Sequence, residues 1–297
     1  MTPRACWPLL LALALPACDS TPAPPSPAST VDGWPALLEI TDAQGSVEGW
    51  LFGTIHSLPD DVEWRTSRFD GVANAADLLV VEVDNLADDA ALADLFGTMA
   101  YDEPVGQTVA QRLDPALHDR YATLLESKDA DASQYDAMES WAAALGIAQL
   151  APQGDSKNGV DRVLLGEFAS REVLELEGAR EQLAVFDTLP EAEQRDLLAA
   201  VVREAALPQG ERDNLAAIWK SGDFARLEEV TRQGMLADPQ LREALLFKRN
   251  RDWAAKIENL LTFEAKPLVA VGAGHLLGPQ GLPALLEARG YTIRRIQ

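Results

Sequence analysis

The 297-residue chain is poor in cysteine, histidine and positive charge, with two Cys, three His and 25 Lys plus Arg against 47 Asp plus Glu. A formal net charge of −22 excludes a nucleic-acid-binding surface, which must be basic. It also excludes electrostatic attachment to anionic lipid. No apolar run approaches the roughly 20 residues that span a bilayer. The chain contains no Gly-x-x-x-x-Gly-Lys-Ser/Thr, Gly-x-Gly-x-x-Gly, His-Glu-x-x-His or Gly-x-Ser-x-Gly motif. No repeat of 20–50 residues is present, which excludes a solenoid.

The N-terminus reads as processing information. Arg4 precedes a short apolar stretch, residues 9–15, closed by Leu15-Pro16-Ala17-Cys18. This ending resembles the lipobox of bacterial lipoproteins. The resemblance implies cleavage after residue 17, a lipid thioether on Cys18 and an extracytoplasmic place in the cell envelope. Asp19 after the lipidated residue points to the inner membrane. Stable anchoring needs two or more acyl chains, which one modified Cys can carry. Residues 18–31 are rich in Pro, Ser and Ala and form a tether that cannot bury a core. Cys6 lies in the segment removed, so the mature chain keeps no thiol for a disulfide or for catalysis. Cleavage loses Arg4 and no acid, taking the net charge to −23.

Residues 32–297 are expected to form one α/β domain. Strand-like runs fall at 36–41, 48–54, 77–83, 172–177, 268–272 and 291–296, the first two as a hairpin. Helical stretches are expected at 90–99, 115–127, 140–150, 182–186, 191–205, 213–220, 242–261 and 280–289. Asp187 or Thr188 should cap the helix that Pro190 begins. The expectation is a central mixed sheet assembled from N- and C-terminal strands, flanked by long helical segments.

Two of the three histidines end the same pattern: Gly53-Thr54-Ile55-His56 and Gly272-Ala273-Gly274-His275. With 20 Gly in the chain, chance gives such a pair about 1–2% of the time. Each follows a strand-like run, and strand ends are where α/β sheets build sites. Gly53, Gly272 and Gly274 would let backbone approach a ligand closely. Imidazole suits both a divalent cation and general-base catalysis. Glu82 ends the apolar run 77–83 and would complete a two-His, one-carboxylate set. Glu177 lies at the next strand end. Arg249, followed by Asn250, could pair with Glu82 or Glu177 or stabilise an oxyanion. Asp161 and Gln182 are weaker candidates, and His118 has no comparable context.

These stretches, in order, resemble the TraB/PrgY/GumN family, which includes the animal Tiki proteins. The resemblance rests on Leu51 to His56, Ala76 to Asp84, Gly159-Val160-Asp161, Leu176-Glu177 with Gln182, Arg249-Asn250 with Trp253, and Val269 to Gly278. Gly178 stands where the family pattern has Thr. The resemblance implies a fold like that of erythromycin esterase and ChaN proteins. It implies a site of His56, Glu82 and His275, with Glu177 and Arg249 beside it. It also implies a metal-dependent hydrolase, a peptidase by analogy, using Mn²⁺, Co²⁺ or Zn²⁺ on a peptide or small-molecule substrate. A metal-independent His-based esterase and a non-catalytic haem- or peptide-binding lipoprotein are the alternatives.

Overall fold

The computed structural model describes residues 33–86, 88–101, 105–208 and 214–297. The signal segment, Cys18 and the tether lie outside these residues, as does Asp213, expected above to start a helix. All six anticipated strands form: β1 (Leu37–Thr41), β2 (Val47–Thr54), β3 (Leu78–Val81), β4 (Glu172–Glu175), β5 (Pro267–Gly272) and β6 (Thr292–Arg295). They make one sheet in the order β4-β3-β5-β2-β1-β6. Strand β1 is antiparallel to β2 and β6, whereas β2, β5, β3 and β4 run parallel. The hairpin turn is held by Asp42, whose Oδ1 accepts from the N–H groups of Gln44 and Ser46, with Gly45 at φ 85°.

The central parallel strands β5 and β3, and the C-terminal half of β2, are apolar on both faces because helices cover both, whereas the edge strand β4 keeps exposed Glu172 and Glu175. Alternate residues Phe52, Leu79, Leu268 and Ala270 face a core completed by α1 (Ser67–Ala75), α2 (Val160–Glu167), α3 (Leu215–Ser221) and α4 (Phe224–Thr231). The other set, Leu51, Val80, Val269 and Val271, packs on α5 (Lys248–Leu261) and α6 (Leu282–Glu287). A third core is wholly helical. Its centre is Ser140–Ala148 against Glu191–Ala205, where Ala142, Ala143 and Ala144 allow close approach and Trp141 and Leu197 are fully buried.

Two local expectations change. Neither Asp187 nor Thr188 caps the helix Glu191–Ala205; the N-cap is Pro190. Asp187 instead accepts from the Trp141 indole N–H at 3.1 Å, and Gln194 Nε2 satisfies the carbonyls of Asp187 and Leu189. The single helix expected over 242–261 is interrupted by a π-helical segment, Glu243–Phe247, just before Arg249. Among the described residues no helix is long and apolar enough to cross a membrane.

Candidate functional site

Strands β2, β5, β3 and β4 end along one edge, and the candidate residues collect there. Thr54 closes β2 opposite Gly272 on β5, and His56 follows two residues later. Glu82 comes directly after β3, and Glu177 two residues after β4. His275 sits in a 3₁₀ turn, Ala273–Leu276, that leaves β5. The two Gly-x-x-His motifs are thus neighbours because β2 pairs with β5. A Cβ on Gly53 would lie 3.1 Å from the Ala273 Cα, so one motif packs on the other. A Cβ on Gly272 would stand 3.2 Å from Glu82 Oε1 and 4.0 Å from His56 Nε2, so this glycine lies where all three side chains converge. Gly274 meets only an ordinary contact, Leu246 Cδ2 at 3.7 Å, and no close approach requires it.

His56 is paired with Asp161, from the first turn of α2. Its Nδ1 lies 2.9 Å from Asp161 Oδ2, and Thr54 Oγ1 donates to Oδ1 at 2.5 Å. A carboxylate only accepts, so the proton sits on Nδ1 and Nε2 points away. Gly159 permits this docking: Val160 N–H donates to the Ile55 carbonyl at 3.0 Å, and a Cβ on Gly159 would fall 2.4 Å from the His56 carbonyl oxygen. Asp161 is 4% exposed, whereas the His56 side chain is 68% exposed. The Asp161 carboxylate raises the His56 imidazole to about 9, and water over the exposed ring screens that attraction. Burial acts to raise Asp161, but His56 and Thr54 outweigh it and hold the carboxyl below its usual range.

His275 has the opposite environment. It is 4% exposed and stacks on Trp253 with ring centroids 4.4 Å apart. Its Nδ1 meets Asn250 Oδ1 at 2.5 Å, and Asn250 Nδ2 donates to the Gln280 carbonyl at 2.8 Å, which fixes the amide orientation. The ring proton is therefore on Nδ1, and Nε2 accepts from Arg249 Nη1 at 3.3 Å. Burial pushes this imidazole down to about 3, so it is neutral.

Arg249 locks the buried acids together. Its Nε and Nη2 both bond Glu177, Nη2 also donates to Glu82 Oε2 at 2.9 Å, and Nη1 donates to the Leu245 carbonyl at 2.8 Å. With His275 these contacts use all five guanidinium N–H groups. The pairing expected for Arg249 with Glu82 or Glu177 occurs with both at once, and no donor remains for an oxyanion. Glu82 is equally committed: Oε1 accepts from Gly272 N–H at 2.7 Å, and Oε2 accepts from Gln182 at 3.0 Å as well as from Arg249. Burial acts to raise Glu82, but the charges of His56 and Arg249 and the Gly272 N–H hold it below the usual carboxylate range. Burial prevails at Glu177, which is raised despite Arg249.

His56, Glu82, His275, Glu177 and Arg249 are therefore brought together. His118, in the helix His118–Ser127, takes no part in this network. Asp161, Gln182 and Asn250 carry more of the geometry than their sequence context suggests, and Thr54 carries no sequence signal of its own. The donor types suit a divalent cation, and in this structure Arg249 bonds both Glu82 Oε2 and His275 Nε2. Among the described residues no group of three or more His, Cys, Asp or Glu side chains is disposed to hold an ion.

Comparison with curated proteins and with solved structures finds no match. One family model does match, and it covers nearly all of the described domain. Over residues 36–295, with both Gly-x-x-His motifs and every residue of the cluster inside the match, the chain belongs to the TraB/PrgY/gumN family.

Proposed function

We propose that this protein is a hydrolase of peptide or ester bonds in which His56 activates water. The observation that carries the reading is the state of His56. Its Nδ1–H is held by buried Asp161, while Nε2 has no partner among the described residues and the exposed side chain lines an open cleft. Neutral His56 takes a proton from water as the water oxygen attacks the carbonyl carbon. Asp161 stabilises the imidazolium that forms and keeps the ring in place. The same proton then passes to the leaving nitrogen or oxygen as its bond to carbon breaks, so one water is consumed. The Glu82–Arg249–Glu177 network and His275 form the rigid wall against which His56 works. The test is turnover of peptide and ester substrates by wild type and His56→Ala in the presence of a chelator. Turnover that persists in the chelator and disappears in the variant supports the reading.

A second reading keeps the divalent ion. Both imidazoles have Nδ1 bonded to an oxygen partner and Nε2 directed toward Glu82, as metal-binding histidines usually do. His56, His275 and Glu82 would hold Mn²⁺, Co²⁺ or Zn²⁺ once Arg249 released the carboxylate. Metal content of the purified chain, and its melting point with each ion added, decide this reading. In either case the proposal places the enzyme in the cell envelope, tethered through lipidated Cys18.

A further inference from the structure

The cleft beside His56 does not end at the histidine. It has a volume of about 680 Å³, and Ala148, Ala151 and Gln153 are among the residues that line it. The same three residues line a second cavity of about 150 Å³, closed by Val201, Ala205 and Met235. The two therefore adjoin at these residues. Their characters differ. Near His56 the wall offers Ser57, Gln149, Gln153 and Ser156, which can hydrogen-bond a backbone or an ester. The second cavity is walled mainly by alanines, one valine and one methionine, with Gln153 and Glu204 at its margin. The charged groups among the described lining residues, His56 aside, are Asp155 and Glu204, and no Lys or Arg is among them.

From this continuity we infer that the substrate carries an aliphatic side group, seated between Ala151, Val201 and Met235 while its scissile carbonyl lies at His56. The inference rests on the hydrolase reading and names the substrate class for that site. A cavity of 150 Å³ takes about four or five non-hydrogen atoms at ~30 Å³ each, the size of a leucine-like side chain. Small alanines leave the room, and Met235 can adjust its shape to the occupant. Asp155 and Glu204 disfavour an acidic group in the same place. Holding a remote apolar group positions the carbonyl, so the benefit appears in kcat/KM.

The experiment uses the full chain and four matched probes, the p-nitrophenyl esters of N-acetylglycine, N-acetylleucine, N-acetylphenylalanine and N-acetylglutamate. The leucine ester should exceed the glycine ester in kcat/KM by roughly tenfold or more, with the glutamate ester lowest. Ala151→Trp, which fills the second cavity, should bring the leucine-to-glycine ratio toward one. Met235→Ala, a milder change that widens it, should move the preference toward the phenylalanine ester. Equal rates for leucine and glycine esters, or a ratio unmoved by both variants, overturn the inference and leave the hydrolase reading standing. Turnover of no ester above the His56→Ala rate overturns both.

Discussion

Arg249→Met is the most informative single change to the buried network. The guanidinium is 12% exposed and binds two carboxylates, of which Glu82 is 7% and Glu177 9% exposed. Methionine keeps an unbranched apolar side chain against Trp253 but removes the charge. Two buried carboxylates then face each other without a cation. Breaking a buried pair in this way costs about 3–5 kcal/mol. Part of the cost is recovered when Glu177, already raised by burial, takes up a proton. The loss should therefore be larger at pH 8 than at pH 5. At ~2–4 °C per kcal/mol for a domain of this size, the melting temperature should fall by about 10 °C at pH 8. Thermal melting and urea unfolding, each followed by tryptophan fluorescence at both pH values, measure this. Adding Glu177→Gln to Arg249→Met should restore at least about 1 kcal/mol, because one unpaired charge is gone. A loss below about 1 kcal/mol, or the same loss at both pH values, would refute a buried ionic network held by Arg249.

Other consequences can be checked separately. His56 has a raised pKa in the fold, so its pairing with Asp161 stabilises fully below pH 6.5 and is lost as pH rises through about 9; urea stability of Asp161→Asn should match wild type more closely at pH 9.5 than at pH 6. His275 has a lowered pKa of about 3, so the unfolded chain gains a proton first and stability falls as pH drops from 6.5 toward 3. His275→Gln should flatten that part of an acid titration. In kinetics, neutral His56 is the active form, so kcat/KM should rise with pH to an inflection between 6.5 and about 9, and Asp161→Asn should move it toward 6.5. Gly159→Ala drives a methyl into the His56 carbonyl and should cost about 1–3 kcal/mol, measurable by thermal melting. The proposed lipid anchor is tested by Cys18→Ala, which should move the protein from the membrane to the soluble fraction of a cell lysate.

The architecture was readable because the strands are short apolar runs bounded by turns. The sheet order was not readable, since which strand lies beside which depends on packing that no local pattern encodes. The join of β2 to β5 is the decisive case: it makes one site of two motifs far apart in the chain. Glu82 could be found because an acid at the end of an apolar run is conspicuous. Asp161 was harder to weigh, since an acid in the first turn of a helix looks like ordinary dipole compensation. Asn250 was visible only as the neighbour of Arg249, although it sets the His275 tautomer. The commitment of every Arg249 donor emerges only when its partners are counted. The π-helical segment also escaped the pattern, because one extra residue hardly disturbs a helical periodicity. The Arg249 guanidinium donates to the Leu245 carbonyl within that segment.

The most direct test of the central claim is the rate at which the full chain hydrolyses the leucine ester in excess chelator, compared with His56→Ala under the same conditions. Wild type should remain active, and loss of the His56 base should lower kcat/KM by about 10²–10⁴-fold. Equal rates for the two proteins, or abolition of wild-type turnover by the chelator alone, would contradict water activation by the His56–Asp161 pair.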